Sequence, residues 1–216
     1  MKQSLGAFLG LWIVCVCLLF PSRASAEDSE TFQRISKDYP KQKKACEFGG
    51  TLNCLEAGKI IERVSLNLAS RHYAEGCSGG LLESCFRLGL MKELEGNMSL
   101  ALPLFYKACN GGFGGSCFWL GLVFVKMGKI DEALESHRLG CEWGEMHSCA
   151  LAGGLLNRRG DFKQGMELQK KACDFGSVLG CGMLAGTLRK QGSHKESKQY
   201  SRKACKLGDA AECKNK

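Results

Sequence analysis

The sequence predicts an all-α protein, an α/α solenoid of antiparallel helix pairs stapled by disulfides. Three observations predict it. Twelve of the fourteen cysteines form six pairs, each eight positions apart. Successive pairs recur every 31 or 32 residues, a period that marks stacked supersecondary units rather than one compact core. Glycines repeat in step with the cysteines, and the apolar residues between them fall at helical spacing, as in Leu82, Phe86, Gly89 and Leu90.

The chain opens on a segment of another kind. Met1-Lys2 precedes an apolar run from Leu5 to Phe20, then Pro21, then Ala24-Ser25-Ala26. This is the layout of a secretory signal peptide over residues 1–26, with cleavage expected after Ala26. The run of 16 residues is short of the roughly 20 that a spanning helix needs. Neither Cys15 nor Cys17 follows the small-residue pattern required for lipid attachment. A lead-in over 27–40 and a repeat region over 41–216, about five repeats plus a terminal cap, complete the division. The expected location is secreted or periplasmic, where an even set of cysteines forms disulfides.

The full chain carries a net charge of +8. Beyond residue 26 there are 28 basic against 22 acidic residues, a net of +6, densest at 41–44 and 189–206. So modest and dispersed an excess fits solvated helix faces and weak attraction to an acidic envelope surface. Without a recognised binding motif it does not fit nucleic acid.

Counting from the first cysteine of each pair shows the parts of one repeat. Three residues on stands Gly49, Gly80, Gly112, Gly144, Gly176 or Gly208, and nineteen residues on Gly96, Gly128, Gly160 or Gly192. Both positions suit helix ends that need a left-handed backbone. Twelve residues on stands Gly58, Gly89, Gly121, Gly153 or Ala185. A small residue inside a helix costs stability unless another helix approaches closely there. Each repeat thus reads as helix A, after the cysteine turn, and helix B, ending at the next first cysteine. Pro103 falls early in a B helix, where a kink or a late start is expected.

The elements Lys107-Ala108-Cys109, Gly112, Ser116-Cys117, Leu120-Gly121, Gly128 and Ala133 resemble the Sel1-like repeat, a relative of the tetratricopeptide repeat. The cysteine-bridged form looks like the Helicobacter cysteine-rich protein family, and the resemblance covers about residues 41–216. Many Sel1-like repeats are longer, with a glycine-rich insertion between helices A and B. Here only a tight turn is left, so the superhelical curvature is expected to differ.

The cysteine pairing rests on geometry. Residues eight apart on one continuous helix lie about 12 Å apart, whereas a disulfide needs Cα atoms roughly 4.4–6.8 Å apart. The intervening glycine must therefore fold the chain back for Cys46–Cys54, Cys77–Cys85, Cys109–Cys117, Cys141–Cys149, Cys173–Cys181 and Cys205–Cys213 to form. A rival scheme joins Cys54 to Cys77 and so on, leaving Cys46 and Cys213 unpaired. The family resemblance agrees with the short pairing.

No metal or cofactor is expected. Zinc sites usually bring two ligands within two to four residues, and the chain has no CxxC, which also argues against thioredoxin-type and haem-attachment chemistry. The resemblance brings in penicillin binding and weak β-lactamase activity. However, the acyl-transfer motifs Ser-x-x-Lys, Ser-Asp-Asn and Lys-Thr-Gly do not occur. Ser84, Ser116 and Ser148 precede second cysteines and read as helix caps or turn hydrogen-bonding residues. His72, His137, His147 and His194 show no ligand spacing and read mostly as surface residues. No catalytic residue is assigned.

By the resemblance, helix A lines a concave groove. Its lining would be Phe86, Leu90, Glu93, Phe118, Leu122 and Val125 in the central repeats. His147, Ala150, Gly154, Asn157, Gly182, Gly186 and Arg189 would follow in the later ones. The expected partner is a protein or peptide segment held by apolar anchors on a monomeric module. The alternative for Phe86, Phe118 and their neighbours is packing between helices. A β-lactam hydrolase and a structural envelope component are the competing functions.

Overall fold

The computed structural model describes residues 33–214. The expected signal peptide and most of the lead-in lie outside the described residues. A π-helical turn, Arg34–Asp38, leads into α1 (Tyr39–Glu47). Five A/B pairs follow: α2 (Thr51–Ile61) with α3 (Leu66–Ser78), α4 (Leu82–Leu94) with α5 (Met98–Asn110), α6 (Gly114–Lys126) with α7 (Ile130–Glu142), α8 (Met146–Arg158) with α9 (Phe162–Asp174), and α10 (Val178–Lys190) with α11 (His194–Lys206). A short α12 (Ala210–Cys213) ends the array. Each helix packs on the next in sequence. Among the described residues there is no strand, and no helix is long and apolar enough to cross a membrane.

The glycine marks set this regularity. All ten glycines at the third and nineteenth positions have positive φ, from 73° at Gly128 to 107° at Gly208. At Gly80 the amide donates to the Cys77 carbonyl and that of Leu81 to the Gly76 carbonyl. Gly96 and Asn97 repeat the pattern on Glu93 and Lys92. These are Schellman ends, which satisfy the last carbonyls and turn the chain back. Both ends of a repeat therefore use the same device.

The turn brings each cysteine pair to bonding distance. All six short pairs are bonded, with Cα–Cα separations of 4.4 to 4.7 Å. Small residues make the approach possible. A Cβ placed on Gly76 would lie 2.5 Å from the Ser84 hydroxyl, and one on Gly140 would lie 2.6 Å from that of Ser148. This corrects the reading of the serines as caps. Ser84, Ser116 and Ser148 are wholly buried inside the A helices, and Ser116 donates to the Phe105 carbonyl at 2.9 Å. No substrate reaches hydroxyls so enclosed.

Within a pair, the twelfth-position glycine receives a B-helix side chain. A Cβ on Gly58, Gly89 or Gly121 would fall 2.4, 2.7 or 2.5 Å from the ring of Tyr73, Phe105 or His137. The largest core cluster gathers Phe105, Leu120, Phe124, Leu134, Leu155 and Leu156. Pro103 does not delay its helix, since α5 already begins at Met98 with the Asn97 side chain accepting from the Leu100 amide. The proline ring lies on the exposed face, where the carbonyl that loses its partner can turn to water.

Candidate functional site

Across repeat boundaries α8 and α10 pack directly against each other, more closely than any two described B helices, and α6 touches α8. The B helices α5 and α7 also touch.

The A-layer positions divide into two sectors. In the first, Phe86 is half-buried, its ring 5.2 Å from Phe113 and 6.1 Å from Phe105, and Leu90 packs on the main core. Phe118 lies 6.1 Å from the rings of both His137 and His147 and beside Trp119. Those three residues pack between helices, the alternative raised by their composition. Leu122 is half-buried, Val125 is 38% exposed, and Glu93 reaches Lys126 of the next A helix at 3.7 Å. In the second sector Asn157 donates to Thr187 at 3.1 Å, and Thr187 donates to the buried Gln169 at 3.0 Å. Arg189 pairs with Glu212 at 3.0 Å, and His147 is exposed with its Nδ1 2.9 Å from Glu145. Ala150 is wholly buried and lines nothing.

Among the described residues the structure thus joins Phe118 to His147, and Asn157 to Thr187, but does not gather the candidate lining residues around one pocket. Open face remains over Leu122, Val125 and, further along, Gly186. A Cβ at Gly154 would meet the Met183 methyl at 2.4 Å, whereas one at Gly186 would meet nothing within 4 Å. A separate cleft of about 310 Å³ lies in the B layer between α7 and α9, lined by Arg138, Glu142, Gln164, Glu167 and Lys171. Its mixed charges cancel locally.

Two features escaped the sequence reading. His72 and His137 are buried, not on the surface. Burial alone pushes the His137 imidazole down to about 4, and its Nδ1 has no partner among the described residues. The 32-residue spacing of Tyr73, Phe105, His137, Gln169 and Ser201 was the signal that could have found it. Near the N-terminus a charged network joins α2, α3 and α4. Burial works to raise the Glu83 carboxyl, but hydrogen bonds from Lys59 and Arg87 overcome it and hold the group low. Burial, with the hydrogen bond to Glu62, pushes the Tyr73 phenol up.

A tetratricopeptide repeat family model matches residues 180–207. Among solved structures, the c5321 protective antigen of uropathogenic Escherichia coli, which displays an SLR fold, superposes with a TM-score of 0.71 at 19% identity, covering 81% of this chain. A Sel1 repeat protein from Oxalobacter formigenes superposes with a TM-score of 0.64 at 18% identity, over 76% of this chain and 74% of its own. The chain has the Sel1-like repeat fold. The Sel1-like solenoid also aligns with YrrB, a tetratricopeptide-repeat protein with an unusual peptide-binding site, with a TM-score of 0.54 at 17% identity over 79% of this chain and 94% of that one. The solenoid spans 42% of the length of c5321. At these identities the likeness concerns the fold. No curated protein matches the Sel1-like chain.

Proposed function

We propose that the protein is an exported interaction module that holds a protein or peptide segment along its inner A-helix face, in a secreted or periplasmic setting. The observation that carries this is Gly186. A glycine inside a helix costs about 1 kcal/mol relative to alanine, and at the other interior positions of this kind a neighbouring residue explains the cost. At Gly186 nothing among the described residues occupies the space, so the small residue keeps the backbone open to something from outside. Val125 and Leu122, two A helices away, supply apolar anchor surface on the same layer. The peptide-binding site of YrrB and the oxidised state of all six cysteine pairs support the reading.

Selection of binders from a displayed random-peptide library tests it. Selected peptides are expected to carry apolar anchors. They should lose at least ten-fold in affinity, measured by titration calorimetry, on Val125→Glu and on Gly186→Phe, and lose nothing on Lys163→Glu in the outer layer. Equal affinity for all three variants would overturn the proposal.

A further inference from the structure

The first disulfide differs from the other five in what surrounds it. Sγ of Cys46, on α1, lies 3.0 Å from Oε2 of Glu75 and 3.9 Å from Nδ1 of His72, both on α3. His72 Nδ1 and Glu75 Oε2 are themselves 3.4 Å apart. A bridged sulfur has no proton to donate, so a carboxylate oxygen this close is not a hydrogen bond to it. The three distances suit another role. Ligands held tetrahedrally at zinc bond lengths of about 2.0–2.3 Å lie roughly 3.3–3.7 Å from one another, and these donors already scatter about that value.

Three further facts bear on the cluster. Cys46 and His72 are buried, while Glu75 is half-exposed and leaves a path for an ion. On the far side of the imidazole, Nε2 lies 3.1 Å from the Tyr39 hydroxyl. That outer contact fixes the ring with Nδ1 facing the sulfur, as the partners of metal-bound histidines do. The set is also confined to one repeat. The positions of His72 and Glu75 are held by Leu104 and Lys107, Ser136 and Leu139, Leu168 and Lys171, and Tyr200 and Lys203 in the repeats that follow. At the second bridge Lys107 donates to the Cys77 carbonyl at 2.9 Å, which puts a cation near the place the metal would take.

We propose that Cys46, His72 and Glu75 form a zinc site, with water in the fourth position, that becomes available when the first disulfide is open. Opening the bridge takes two electrons and two protons from a thiol or phosphine reductant and yields two thiols. Binding Zn²⁺ then releases the Cys46 proton to solvent, so that one thiolate, the Nδ1 lone pair, one carboxylate oxygen and a water are the ligands, while the Cys54 thiol keeps its proton. The N-terminal repeat thereby has two alternative staples, one covalent and one ionic, exchanged by the redox state around it.

The experiment uses the full chain with Cys54→Ser, which frees the Cys46 thiol and keeps five disulfides. Titration with Co²⁺ is expected to give one ion per chain, with a thiolate-to-cobalt charge-transfer band and the d–d bands of a tetrahedral ion. Adding His72→Ala or Glu75→Gln should abolish the band, and adding Tyr39→Phe should weaken binding by about ten-fold. Cys85→Ser frees Cys77 in a repeat without the histidine and carboxylate and should bind nothing comparable. Equal binding by Cys85→Ser, or a spectrum unmoved by His72→Ala, would overturn the proposal. If Cys54→Ser does not fold, the wild-type chain is refolded from the reduced state with and without zinc, and its thiols are mapped by alkylation. Zinc-dependent protection confined to Cys46 supports the site, and none there, or protection spread over all pairs, sinks it.

Discussion

Single side chains decide how closely the two helix layers approach. Tyr73, Phe105, His137 and Gln169 stand in one column of the B helices and press on Gly58, Gly89, Gly121 and Gly153. Buried Ser201 continues the column where alanine replaces the glycine. The glycines therefore have opposite roles, and one substitution separates them. Gly89→Ala would set a methyl 2.7 Å from the wholly buried Phe105 ring. Overpacking of about 1–3 kcal/mol exceeds the helix-propensity gain of about 1 kcal/mol, so its melting temperature should fall. Gly186→Ala meets no neighbour and should raise the melting temperature by the propensity gain alone.

His137 fills a place in this column that its neighbours give to phenylalanine and tyrosine. Its imidazole is held down to about 4, against an ordinary value of about 6.5. Between those limits the unfolded chain takes up a proton that the folded chain refuses. Stability is thus fully present above about pH 6.5 and is lost as pH falls toward about 4, by roughly 3 kcal/mol in all. His137→Phe, placed as Phe105 is placed, should flatten this loss. Melting curves recorded from neutral to acidic pH for both proteins check it, and an unchanged acid sensitivity in the variant would count against it.

At the level of helices and turns, much was legible in advance because the signals are short-ranged. A left-handed residue, a Schellman end and an eight-residue bridge are each complete within one turn, so cysteine and glycine spacing locates the A and B helices from the second repeat on, while the first has Ser65 in place of the nineteenth-position glycine. At Pro103 the expected late start does not occur, since the helix begins at Met98, with the proline on the solvent side. The serines before the second cysteines were misjudged. A hydroxyl in the first helical turn resembles a cap until the preceding helix is seen to press on it. Each bridge closes a nine-residue loop, and the chain-entropy model assigns it about 2.6 kcal/mol. Verified reduction of all six bridges is therefore expected to lower the melting temperature substantially, read by circular dichroism against the oxidised protein. An unchanged melting curve would show that packing alone carries the array.

Over the whole molecule, the staples sit in the turns where each B helix returns to an A helix, and each B helix packs closely on the A helix of the next repeat. The A-helix face keeps exposed apolar surface at Val125 and an opening at Gly186. In sequence Val125 was not distinguishable from Phe86, another apolar candidate, nor Gly186 from Gly154 at the equivalent position, yet Phe86 and Gly154 are taken up by packing. The period, most helix ends and the pairing were readable from the chain itself, because each depends on residues within one repeat. Which apolar residues stay exposed, which histidines are buried, and the meeting of Cys46 with His72 and Glu75 were decided only by tertiary structure. The contacts between helices among them join residues 19 to 29 positions apart, and they exist only once the helices have packed.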